Sequence, residues 1–137
     1  MKIKMIRQED VSGCGVACVA ALLGITYQQA LKQFSKSGSQ ARNKGFLCKE
    51  ICMVLHKLNK NYSHKYVKNR LRRKIYRPGT IVFIKKSKRY PPGHYFLRSE
   101  DGWLDPWINF CKDNNIKNAK AGLRKRLPDR AIYYLQE

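Results

Sequence analysis

Eight consecutive apolar residues, Val16-Ala17-Cys18-Val19-Ala20-Ala21-Leu22-Leu23, run without a break into Gly24. Such a segment leaves the chain few choices. It falls far short of the roughly 18 residues that span a bilayer, and it is too apolar on every side to lie on a surface. It reads as a short helix buried nearly all round, with Gly24 as its C-terminal cap. The remaining residues must then build a core around it. The chain has 137 residues, 43% of them hydrophobic and 11% aromatic. That is enough for a single domain over residues 1–137, burying roughly two-thirds of its unfolded surface, and it argues against disorder. The opening residues Met1 to Gln8 alternate charged and apolar side chains and contain no continuous signal-peptide core. Neither secretion nor a transmembrane segment is expected, and the cytoplasm is the expected compartment. Five cysteines, an odd number, fit reduced thiols in such a setting.

The first half of the chain carries helical signals. Thr26 is placed to cap a second helix reaching Gln33 or Phe34, with Ala30, Leu31 and Phe34 on its buried side. Ser35 to Lys44, rich in Ser, Gly and Lys, reads as a loop. Leu47, Ile51, Val54, Leu55 and Leu58 then repeat with a helical period. The second half changes character. Thr80 to Ile84 is a β-branched and aromatic run after Pro78-Gly79, and His94 to Arg98 and Gly102 to Leu104 follow as strands. Ser99-Glu100-Asp101-Gly102 supplies a hairpin signal between the last two, and Ala131 to Leu135 a late strand. Helices first and strands later favour an α+β fold over a doubly wound sheet.

Chemistry concentrates in Gln8-Glu9-Asp10-Val11-Ser12-Gly13-Cys14-Gly15-Val16-Ala17-Cys18. Cys14 stands at the start of the apolar helix, where the helix dipole and unpaired N–H groups favour a thiolate. Its flanking glycines are expected to leave room for a substrate backbone. A nucleophilic thiol needs a base and a group to orient that base. Of three histidines, His56 falls on the proposed third helix and His64 in a polar connector. His94 begins a strand, and Asp105 lies eleven residues later at the end of the strand that would pair with it. A hairpin turning near Asp101-Gly102 returns Asp105 towards His94.

These residues resemble the bacteriocin-processing, double-glycine cysteine peptidase family, whose fold is papain-like. Gln8 stands six residues before Cys14, and Cys14-Gly15-Val16-Ala17-Cys18-Val19 is similar to the family's Cys-Gly-x-Ala-Cys-Leu pattern. His94-Tyr95-Phe96-Leu97 followed by Leu104-Asp105-Pro106 resembles its histidine strand and Asp-Pro pair. The resemblance implies N-terminal helices packed on an antiparallel sheet and a Cys14, His94, Asp105 triad, with Gln8 as an oxyanion donor. It implies a peptide or precursor-protein substrate cut after small or double-glycine residues, and no cofactor or metal. Exporters of this family carry a nucleotide-binding domain; no Gly-x-x-x-x-Gly-Lys-Ser/Thr loop occurs in this sequence.

Other features read as structural. Cys18 is expected in the core. Cys48, Cys52 and His56 are spaced four apart on one helical face, which suits packing better than a zinc site. Trp103 and Trp107 flank Asp105 and read more readily as core than as cleft walls. The charge is uneven. Twenty-nine Lys and Arg against nine Asp and Glu give a net charge of +20. Between Ile51 and Ser99 there are fourteen Lys and Arg and no acid. The basic 57–98 region points to an acidic peptide substrate or to nucleic acid. The rival to an enzyme is a non-catalytic basic binding module on the same fold, recognising nucleic acid or an acidic protein partner.

Overall fold

The computed structural model describes residues 3–34, 37–110 and 112–137. Four helices precede or flank one antiparallel sheet. α1 is Cys14–Leu23, α2 Tyr27–Leu31, α3 Ser37–Asn43 and α4 Cys48–Lys57. The strands are β1 (Ser63–Tyr66), β2 (Ile81–Ile84), β3 (His94–Arg98), β4 (Trp103–Asp105), β5 (Gly122–Arg124) and β6 (Ala131–Gln136), ordered β1-β6-β2-β3-β4-β5. Short 3-10 helices cover Asn69–Tyr76 and Ile116–Asn118. This is the expected α+β architecture of N-terminal helices on an antiparallel sheet.

The apolar run behaves as its composition demands. Residues 14–21 of α1 are buried, and Gly24 closes the helix in the left-handed region at φ 68°. The N–H groups of Gly24 and Ile25 return to the carbonyls of Ala21 and Ala20. Thr26 caps α2 reciprocally: its hydroxyl accepts from the Gln29 amide while the Gln29 side chain accepts from the Thr26 amide.

Strand alternation sorts the sheet's side chains between two cores. Ile81, Tyr95, Leu97, Leu104 and Leu135 join the helices on one face. Val82, Ile84, Phe96, Trp103 and Tyr134 form a second cluster on the other. Among the described residues no helix is long and apolar enough to cross a membrane.

Two local expectations are corrected. The loop expected over Ser35 to Lys44 contains α3, residues 35 and 36 lying outside the described set. Weak intrinsic propensity is overridden there by tertiary contact: Ala41 is fully buried, and the Gln40 amide donates to the Glu50 carboxylate and the Gly45 carbonyl. His64 lies in β1 and not in a connector, and β5 also went unread. Both are edge strands. All four β1 residues are exposed, so no alternation marks the strand in the sequence.

Candidate active site

The site assembles from the ends of three elements: Cys14 opens α1, His94 opens β3 and Asp105 closes β4. The β3–β4 hairpin pairs Leu97 with Leu104 and Arg98 with Trp103. One further step of that register puts Asp105 across from Phe96, on the same face as His94 and diagonal to it. Such diagonal neighbours are within reach of long side chains. His94 Nε2 and Asp105 Oδ1 are 2.9 Å apart, and both residues are buried. With Nε2 held by the carboxylate, Nδ1 is the ring nitrogen left for Cys14, which lines the same cleft.

Burial opposes charge on His94. The charge of Cys14 and the hydrogen bonds to Asp105 and Cys14 outweigh it, and the ring's pKa is pushed up to about 9. Burial likewise opposes charge on Asp105, but its interactions with His94, the Arg124 guanidinium and the Trp107 amide hold the carboxyl below its ordinary value. Arg124 Nε donates to Oδ2 at 2.8 Å and Trp107 N to Oδ1 at 2.9 Å. The imidazole is boxed by aromatic rings, stacked on Tyr90 at 5.0 Å and edge-on to Phe96 at 4.9 Å. Arg124 Nη2 reaches the Tyr90 hydroxyl and the Ile108 carbonyl as well, so one guanidinium braces both the carboxylate and the ring over His94.

Gln8 is buried beside the turn that leads into Cys14, its backbone N–H donating to the Pro106 carbonyl. Its Nε2 donates to the carbonyls of Asp10 and Val11, each at 3.0 Å. Oε1 is buried with no partner among the described residues. In this arrangement the side-chain amide clasps the turn that presents Cys14. The flanking glycines serve packing and do not hold space open for a substrate, which corrects the sequence reading. A Cβ on Gly13 would collide with the Tyr27 hydroxyl, itself bonded to Asp10 Oδ2 at 2.7 Å. A Cβ on Gly15 would meet Ile51 at 2.8 Å and Tyr95 at 3.3 Å, where α1 lies closest to α4 and β3.

A cleft of about 230 Å³ opens over Cys14 and His94, walled by Val11, Phe46, Phe83, Tyr90 and Trp107 and edged by Lys44. Trp107 is therefore core and cleft wall at once, whereas Trp103 packs in the second core. Cys18 is fully buried, as expected. Cys48 faces the Tyr95 hydroxyl, Cys52 the His64 ring and His56 the Tyr62 carbonyl, so these three do not converge on a common point. Cys14, Cys18, Cys48 and Cys52 are free thiols, and Cys111 lies outside the described residues. Sequence reasoning missed Arg124 and Tyr90. Arg124 sits in a basic stretch with no local mark of its carboxylate partner, 19 positions away in the chain.

No family model matches the chain, and no curated protein matches it. A solved structure does. The peptidase domain of Streptococcus ComA, a bi-functional ABC transporter involved in a quorum sensing pathway, superposes with a TM-score of 0.57. The two chains share a fold. The match covers 97% of this chain and 96% of that one at 18% sequence identity. The fold shared with that peptidase domain frames Cys14, His94 and Asp105, and a likeness at this identity carries the fold alone.

Proposed function

We propose that the chain is a cysteine peptidase cleaving a peptide or precursor protein, with Cys14 as nucleophile, His94 as acid and base, and Asp105 as the group that orients His94. The observation that carries this reading is one row of side chains. A thiol at a helix N-terminus shares one cleft with an imidazole whose Nε2 is held by a buried carboxylate backed by Arg124. A core built only for stability has no need of such a row, since burying ions costs desolvation that apolar side chains avoid. Nucleophile, base and orienting group in hydrogen-bond sequence are what thiol catalysis requires.

The raised pKa of His94 keeps the imidazole protonated at neutral pH. The sulfur attacks the scissile carbonyl, and the C–N bond breaks as His94 gives its proton to the leaving amine. A thioester to Cys14 remains. Water then attacks it, His94 taking and keeping the water proton as the C–S bond breaks, the sulfur leaves as thiolate and the acid product departs. Asp105 keeps Nε2–H in place through both halves. The Cys14 backbone N–H and the Gln8 amide act as oxyanion donors, each worth roughly 2.7–4 kcal/mol; for this, Gln8 Nε2 gives up one of its two carbonyl partners. The cleft is smaller than the roughly 300–1,000 Å³ of common ligand pockets, which favours small or double-glycine residues beside the cut.

The test is digestion of a peptide library read by mass spectrometry. Wild-type protein is expected to release new termini, and Cys14→Ala and His94→Ala to release none. Equal cleavage by Cys14→Ala would refute the reading.

A further inference from the structure

A second concave surface lies away from the thiol. On the sheet face opposite the helices, a groove of about 690 Å³ runs between the Asn69–Tyr76 3-10 helix, Trp103 of β4 and the segment 125–130 leading into β6. Arg72, Lys125, Arg126 and Arg130 line it and are exposed, against one acid, Asp129. Neither ion pair at Asp105, with His94 or with Arg124, involves any of the four groove cations. Arg98 lays its guanidinium over two of the lining rings, Tyr76 and Trp103, 5.2 Å from each, and its Nε is buried with no hydrogen-bond partner among the described residues. Mutual repulsion among such cations disfavours the empty groove and is relieved by an anionic occupant.

We propose that this groove is an exosite holding an acidic segment of the peptide substrate whose scissile bond lies at Cys14; the proposal rests on the peptidase reading above. Two observations choose a peptide over nucleic acid. The aromatic rings that would stack on bases already have partners: Arg98 covers Tyr76 and Trp103, and the Tyr66 ring packs tilted against Tyr133 at 4.8 Å. The groove therefore offers charge and donors more than stacking surface. Its distance from the chemistry also suits a peptide. Arg98 ends the strand that His94 begins, a separation of about 13 Å at strand rise. Roughly four to six extended residues cover that distance, so one substrate can reach both places. Carboxylates on the substrate pair with Arg72, Arg126 and Arg130, while the cut bond lies over the thiol.

The test reads binding apart from turnover. Fluorescein-labelled decaglutamate is titrated against full-length Cys14→Ala protein by anisotropy. Binding is expected to weaken at least tenfold in the same protein carrying Arg72→Glu and Arg126→Glu. It is expected to change less than twofold with Lys85→Glu and Lys86→Glu, which remove equal charge from exposed positions outside the groove. Equal weakening by both pairs overturns the exosite. So does a decathymidylate or an anionic phosphatidylglycerol vesicle that binds through the groove pair at least tenfold more tightly than decaglutamate. With wild-type Cys14, the groove pair should raise KM for a cleaved peptide bearing a glutamate tract and leave kcat unchanged. Groove-dependent binding in a wild-type protein that cleaves nothing would end the peptidase reading while the acidic-peptide site stood. Cleavage with groove-independent binding and KM would end the exosite alone.

Discussion

Arg124 Nε lies 2.8 Å from Asp105 Oδ2, so the carboxylate that holds His94 is itself held from behind by a guanidinium on the sheet's last strand. Asp105 is fully buried, and without compensation a carboxylate there would be costly to ionise. Donors on both of its oxygens keep it charged. Arg124 thus acts through Asp105, as a positioning residue.

Removing that support is expected to show in the acid limb of stability. Asp105 titrates below its ordinary value, so the stability it contributes is present above that value and lost as pH falls through the depressed one. Arg124→Met should lower stability by about 3 kcal/mol at neutral pH and move the acid limb upward. Arg124→Lys, which keeps the charge, should move it part of the way back. Denaturant midpoints against pH decide the matter: a stability loss with an unmoved acid limb would leave Arg124 a packing residue only.

The alkaline side carries the opposite sign. The pKa of His94 is raised from 6.5 to about 9, so its contribution is complete below 6.5 and disappears as pH rises through about 9. Wild-type stability should decline across this range. Cys14→Ala removes the largest of the influences that raise the pKa and should flatten the slope. Identical slopes in the two proteins would show that Cys14 and His94 are not coupled.

Thiol labelling should single out one cysteine. Burial raises the pKa of Cys18 and Cys48, and pushes that of Cys52 up to about 11, which slows their reaction as thiolates. Cys14 should react with iodoacetamide at least tenfold faster than these three, and His94→Ala should remove the advantage. Peptide mapping after a short exposure gives the rates; comparable labelling of Cys14 and Cys18 would count against an activated thiol.

Gln8→Ala should lower kcat more than it alters KM, because an oxyanion donor acts in the transition state. It should also lower the melting temperature, since the clasp on the Asp10 and Val11 carbonyls is lost. A lower melting temperature with unchanged kcat would confine Gln8 to that clasp.

Gly13→Ala should destabilise the protein by about 2 kcal/mol through overpacking against the Tyr27 hydroxyl. Adding Tyr27→Phe removes the colliding oxygen and should recover part of the loss. Additive losses in a double-mutant cycle would mean that the collision is not the cause.

Much of this protein was legible locally. The apolar run into Gly24 specified α1, the Thr26 and Gln29 pair specified the start of α2, and the turn at Ser99 to Gly102 set a hairpin that brings His94 and Asp105 to one place. Each of these depends on neighbours a few residues apart. The edge strands β1 and β5, the helix α3 and the role of Arg124 were not legible, because each is defined by partners distant in the chain. Exposed edge strands need no apolar alternation, and α3 draws its stability from Glu50 and a buried Ala41. The carboxylate that Arg124 supports comes from another strand. The sequence by itself determined which run becomes the central helix and which hairpin brings His94 to Asp105, because composition and short-range geometry suffice for both. Only the tertiary structure decided why Gly13 and Gly15 are glycines, what Gln8 holds, and which of the many cations backs Asp105. Those depend on approach distances between elements, which no local pattern encodes.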